Sequence, residues 1–253
     1  MRIALISGGS AGMGRDFARE LAAEGLDALW VIGRRAERLA ELGEELADRL
    51  PVRAFALDLT APDAFTVLKG ALVEEKPEIA YLVAAAGVGV IGGFAESDPA
   101  RLHSTVTLNC VALTDLISLA LPYMRTGSRI ITLASAAAYL PQPYFAVYAA
   151  TKSYVLHLSR ALAAELKTRH ISVTAVAPGP VRTEFFATAA QNGVGMPRKK
   201  EKYMADSRTV VRRALRAARR GKKVCTPTLA MKLARLAAKI LPHAWLMPMF
   251  RQK

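Results

Sequence analysis

Cysteine is scarce in this 253-residue chain, which carries Cys110 and Cys225 and no others. Two thiols support no disulfide framework, so a reducing, cytoplasmic setting is expected. Long apolar runs are missing as well. No stretch approaches the roughly 20 apolar residues of a membrane span. The opening MRIALISGG breaks into glycines too early for a secretory signal and reads as a buried strand. No metal centre is expected. Acidic residues nearly vanish from the C-terminal quarter: Arg198 to Lys253 holds 17 Lys and Arg against Glu201 and Asp206. The net charge of +14 therefore belongs to that quarter, since the first 197 residues hold 18 basic and 19 acidic residues.

What remains is globular in composition, 52% apolar and 22% charged. Six short apolar runs (RIALIS, ALWVIG, VRAFAL, IAYLVAAA, SRIITLAS and ISVTAVAP) read as strands bounded by turn residues. Between them, segments such as RDFARELAAEG and SYVLHLSRALAAELKTRH have helical apolar spacing. This alternation implies an α/β fold, a parallel sheet with helices on both faces. It runs to about residue 190. The remainder, 191–253, reads as a flexible substrate-loop segment followed by a basic helical extension.

Between the first strand and first helix lies GGSAGMGRD, with Gly8, Gly12 and Gly14 in a GxxxGxG spacing. Glycines there let backbone approach a pyrophosphate at a helix N-terminus. Taken alone, they serve any tight turn equally well. Farther on, Tyr148 and Lys152 lie four apart in YAATK, so a helix puts them on one face. An ammonium near a phenol favours phenolate and lowers the tyrosine pKa. Tyr144 and Tyr154 have no lysine four residues later.

The glycine turn, DLT at 58–60, Asn109 in TLNCVAL, Ser135 in ITLASAAA, YAATK and PGPVRTEF at 178–185 occur in one order and spacing. That set resembles the short-chain dehydrogenase/reductase family over roughly residues 1–190, with Ser7 at the position of the usual Thr. The resemblance implies a Rossmann-type doubly wound sheet in a single domain. It also implies a ketone–alcohol oxidoreductase in which Tyr148 moves a proton, Ser135 holds the carbonyl, and Asn109 serves a relay from Lys152. The implied cofactor contacts are Gly8, Ser10, Gly12, Met13, Gly14, Asp58, Leu59, Ala86, Gly87, Pro178, Gly179, Val181 and Thr183, together with Tyr148 and Lys152. One departure stands out. Ala84-Ala85-Ala86-Gly87 replaces the usual NNAG, removing amides that ordinarily tie strands together.

The second strand ends VIGRRAER, with Arg34 and Arg35 where an acid would select a free ribose hydroxyl. NADP(H) is therefore favoured over NAD(H), because arginines can neutralise a 2′-phosphate. Arg15 adds positive charge nearby. The resemblance implies substrate loops near 136–147 and 183–205, which here hold Ala136, Ala137, Ala138, Leu140, Pro141, Tyr144, Phe145, Phe185 and Phe186. This lining favours a lipophilic ketone or alcohol, steroid-like or acyl. In the tail, Leu229, Leu233, Leu236 and Ile240 share one helical face, with Lys232, Arg235 and Lys239 on another. Trp245, Leu246, Met247, Met249 and Phe250 follow. Such a helix can lie peripherally on an anionic membrane, pack between subunits of a homodimer or homotetramer, or cover the site. Nucleic acid is not an expected partner, as no recognition motif accompanies the charge. A regulatory NADP(H)-binding or membrane-docking protein with little turnover is the other functional class compatible with these features.

Overall fold

A computed structural model of the chain describes residues 1–190 and 204–246. The flexible segment expected from residue 191, and the terminal Met247, Met249 and Phe250, lie outside the described residues. Seven strands form one parallel sheet: β1 (Arg2–Ser7), β2 (Ala28–Gly33), β3 (Val52–Ala56), β4 (Glu78–Ala84), β5 (Arg129–Leu133), β6 (Ser172–Val176) and β7 (Val224–Cys225). Their spatial order is β3-β2-β1-β4-β5-β6-β7. The order reverses between β1 and β4, which opens a crevice at the C-terminal ends of those strands.

Side-chain alternation on β1 divides the core. Ile3 and Leu5 enter one apolar cluster with Trp30, Leu68 and Leu72, while Ala4 and Ile6 enter the other with Phe17 and Leu21. Helices α3 (Ala64–Glu75), α5 (Ala112–Ala120) and α6 (Ala146–Glu165) serve the first face, and α4 (Pro99–Val106) packs against α6. Helices α1 (Gly12–Leu21) and α2 (Ala36–Leu46) cover the second. After the short α7 (Phe185–Ala189), α8 (Ser207–Arg219) joins that second face through Val210, Val211, Ala214 and Leu215. The sheet thus takes its last strand, and one of its covering helices, from beyond residue 190. Helix α9 (Leu229–Ile240) and the single turn α10 (His243–Leu246) end the described chain.

Two expectations change. The basic charge of the C-terminal quarter is partly matched: Arg208, Arg212 and Arg219 on α8 meet Asp16, Glu20 and Glu24, a row of acids spaced four apart on and just after α1. Also, the continuous helix Pro99–Tyr123 is long and apolar enough to cross a membrane by length and composition, with a mean hydropathy of 1.5. Leu113, Leu116 and Ile117 bury one of its faces against the sheet, and Asn109 lies within it, so it reads as a core helix.

Candidate active site

At the N-terminus of α1, residue Ala11 supplies no capping side chain and the first turn holds no acid. The first amides of that helix therefore suit an anionic ligand. Gly14 is required there, since a Cβ would lie 2.2 Å from the Gly8 carbonyl oxygen and 2.6 Å from its carbon. The loss of the NNAG amides is met by Ser7. Its Oγ accepts the amide N–H groups of Ala85 at 3.1 Å and Ala86 at 3.2 Å, tying β1 to the end of β4.

Asn109 sits in a π turn at Thr107–Val111 that joins α4 to α5. One extra residue per turn there displaces the side chain inward. Its Nδ2 donates to the Val88 carbonyl at 2.8 Å and to Thr151 Oγ1 at 3.0 Å, and its Oδ1 accepts from the Val88 amide at 3.0 Å. Thr151 in turn donates to the Tyr148 carbonyl at 2.8 Å. The amide group thus fixes the loop after β4 to the helix that carries Tyr148 and Lys152.

On α6, Tyr148, Thr151, Lys152, Val155 and Ser159 form a buried face. Lys152 Nζ donates to the Leu133 carbonyl at 2.7 Å and lies 5.6 Å from the centroid of the Tyr148 ring. Burial lowers the ammonium to a pKa of about 8. Burial also pushes the Tyr148 phenol up to about 12, against the pull of a hydrogen bond with Ser135. The lysine is brought close, as its spacing predicts, yet in this state desolvation and not its charge dominates the phenol. Ser135 Oγ accepts the Ala137 amide at 3.1 Å, which leaves its own hydrogen free for a second partner. Phe145 stacks on Tyr148 with ring centroids 4.2 Å apart, and Phe185 tilts against it at 5.2 Å. Tyr144 holds a left-handed backbone at φ +62°, with its carbonyl accepting the Gly92 amide at 2.9 Å. Strain of this kind in an aromatic persists where surrounding structure enforces it.

At the other end, Arg35 donates to Glu184 at 2.8 Å, linking the start of α2 to the loop after β6. Arg34 is 67% exposed and reaches Asp58 at the loose distance of 3.9 Å. Burial works to raise the Asp58 carboxyl, but Thr60's amide and hydroxyl, with Arg34, outweigh it and hold the group below its ordinary value. Arg15 is engaged elsewhere, with Glu41 at 3.1 Å and Glu45 at 3.2 Å, so the free charge expected from it is not available.

One cavity of about 1710 Å³ joins these parts. Every sequence-derived candidate lines it except Asn109, which supports it from behind. Of the proposed substrate-loop residues, Ala136, Ala137, Leu140, Tyr144, Phe145, Phe185 and Phe186 line it, whereas Ala138 and Pro141 do not. Of the placements open to the tail helix, covering the site is the one its inner face takes. Thr228, Met231 and Ala234 of α9 and the residue before it face the cavity, and Met231 lies so close to Gly179 that a Cβ there would sit 2.9 Å from its sulfur. Tyr139 anchors that roof through Thr226 at 2.8 Å and Arg235 above its ring at 5.9 Å. The threefold spacing of those roof residues was visible, but Leu229, Leu233 and Leu236 drew attention to the opposite side.

Comparison with known proteins agrees with this geometry. The short chain dehydrogenase family profile matches residues 2–193. Sulfoacetaldehyde reductase 2 of Chromohalobacter salexigens is 35% identical over 187 residues, covering 72% of this chain and 74% of that protein. A short-chain dehydrogenase from Sphingobium yanoikuyae, solved with NADPH, superposes with a TM-score of 0.80 at 28% identity, covering 100% of this chain and 97% of the other. The bulky-bulky ketone specific alcohol dehydrogenase of Comamonas testosteroni gives 0.77 at 27% identity, with coverages of 100% and 96%. With an uncapped glycine turn at the sheet's switch point, and Ser135, Tyr148 and Lys152 gathered on its far side, this chain belongs to the short-chain dehydrogenase/reductase family and is an oxidoreductase acting on CH–OH groups.

Proposed function

We propose that the protein interconverts a lipophilic ketone and its secondary alcohol with NADP(H). The observation that carries this reading is the Tyr148 hydroxyl, buried against Ser135 in a cavity with aromatic walls. At about 1710 Å³ the cavity exceeds the roughly 300–1,000 Å³ of a single drug-sized ligand, leaving room for a dinucleotide and a bulky second molecule. Gly8 to Gly14 would hold the pyrophosphate, Arg34 the 2′-phosphate, and Lys152 the ribose beside the nicotinamide. When bound, the dinucleotide supplies the hydride for reduction and accepts it for oxidation.

The chain's own residues manage the proton. Tyr148 gives its hydroxyl proton to the carbonyl oxygen as negative charge builds there, and Ser135 donates a second hydrogen bond to the same atom. Lys152 stabilises the phenolate left behind, while Asn109 and Thr151 keep α6 in register with the loop after β4. Since Lys152 titrates near 8 and acts as the ammonium, kcat/KM for reduction should fall as pH rises through that value. A profile flat to about pH 10 would remove the ammonium from this account.

The sulfoacetaldehyde reductase is named for a small anionic substrate. Among the described residues, the cations that line the cavity are Arg34, Arg35 and Lys152, and the first two lie on the side of Asp58 and Glu184, away from Tyr148. Around Tyr148 the walls are Leu140, Tyr144, Phe145, Phe185, Phe186 and Met231, which supports a bulky apolar substrate; the Comamonas relative is described as specific for bulky-bulky ketones. A comparison of kcat/KM for aryl or steroidal ketones against short anionic aldehydes tests this; preference for the aldehydes would overturn it. Arg34→Asp should shift preference from NADPH toward NADH by roughly 10–100-fold, the equivalent of one charge-assisted hydrogen bond. An unchanged cofactor ratio would assign the 2′-phosphate elsewhere. Val106, Val111 and Tyr154 are exposed apolar residues, the last bonded to Thr114 at 2.7 Å, and they support a homodimer or homotetramer. Free Cys110 and Cys225 suit a cytoplasmic setting.

A further inference from the structure

Helix α9 is apolar on the wrong side for a soluble protein. Its inner face roofs the cavity with Met231 and Ala234, and Ala238 is buried. Leu229, Leu233, Leu236 and Ile240, at spacings of four, three and four, form a stripe on the outer side. They are 71%, 60%, 54% and 68% exposed, and Trp245 just beyond them is 71% exposed. A scattered exposed leucine needs no explanation, but a continuous stripe ending in a tryptophan does.

The charge around the stripe selects its occupant. Lys232 and Lys239 border it along one side, and from Leu229 to Ile240 the helix carries three Lys and Arg and no Asp or Glu. A second copy docked face to face would set this basic rim against itself, because a two-fold interface pairs like patches. An anionic surface with an apolar interior satisfies both features. We propose that α9 and Trp245 dock the protein peripherally on an anionic lipid bilayer, with the Leu229–Ile240 stripe immersed at the headgroup–acyl boundary and the lysines on the phosphates. The inner face of the same helix walls the cavity, so docking brings the site within about 10 Å, one helix diameter, of the lipid. A lipophilic substrate concentrated in the bilayer would then lie beside its own binding site. The docking is measured without turnover, so it and the ketone reading stand or fall separately.

The protein carries its own probe. Trp30 is buried in the core, so a change in tryptophan emission on adding vesicles reports Trp245. With phosphatidylcholine vesicles containing phosphatidylglycerol, emission should shift to the blue and the protein should co-sediment. Pure phosphatidylcholine should bind at least about tenfold more weakly. Lys232→Glu/Lys239→Glu should lower affinity for anionic vesicles by roughly thirtyfold or more. Leu233→Ser/Leu236→Ser should lower it by at least about tenfold. Both pairs are exposed and leave the core untouched. The proposal is overturned if wild type ignores anionic vesicles, if it binds both vesicle types equally, or if both variants bind as wild type does. It is equally overturned if the leucine variant turns an oligomer into monomers, since a second copy would then cover the stripe.

Discussion

Replacing Tyr148 by Phe is expected to lower kcat for ketone reduction by about 10²–10⁴-fold, the usual contribution of a positioned acid or base. The change removes one hydroxyl and keeps the ring that packs between Phe145 and Phe185. Fold and cavity shape should survive, and NADPH affinity should change by no more than about threefold, because the lost interaction acts on the transition state. Steady-state kinetics beside a fluorescence titration with NADPH separates the two effects. Loss of cofactor binding along with activity would show that Tyr148 chiefly holds the nucleotide. Undiminished turnover would give the proton to another group.

Gly14→Ala should be nearly as damaging for a different reason. Its Cβ would meet three backbone atoms, Gly8 O at 2.2 Å, Gly8 C at 2.6 Å and Gly9 N at 3.1 Å. Backbone on both sides of the turn has to move, at a cost of about 1–3 kcal/mol in stability for an overpacked contact. The first amides of α1 move with it, so dinucleotide affinity should fall by tenfold or more, about 1.4 kcal/mol per decade. Gly70→Ala is the contrast. It sits in α3 with open space where the Cβ would go, and should stabilise the protein by roughly 0.5–1 kcal/mol through helix propensity. Thermal melts and NADPH titrations of both variants check the pair. Equal melting temperatures and affinities would mean that the turn tolerates a side chain.

The first six strands were legible because each is a short apolar run between turn residues, and all but the edge strand β3 are buried along most of their length. β7 was not. Val224 and Cys225 carry no periodicity, and the strand exists through pairing with Ala175 and Val176, a tertiary effect. Residues spread from Gly8 to Thr183 could be assembled from motif order, yet their electrostatics could not. Spacing places Lys152 near Tyr148, but it does not reveal that burial of the phenol outweighs the nearby ammonium. Asn109 was visible as a residue type, whereas the π turn that aims it is a backbone feature with no apolar signature. Helix α9 was legible only in part, for a physical reason. Apolar periodicity ordinarily marks the inward face, and here Leu229, Leu233, Leu236 and Ile240 point outward while Thr228, Met231 and Ala234 line the cavity.

The central claim is that a phenol buried beside a dinucleotide cleft delivers a proton to a bulky carbonyl. It is tested most directly by mixing wild-type protein with NADPH and hydrophobic ketones, then quantifying nucleotide oxidised and alcohol formed. The account predicts equal amounts of both, at a rate that collapses in Tyr148→Phe. It is contradicted if NADPH binds but no such ketone is reduced, or if the Phe variant forms alcohol as fast as wild type.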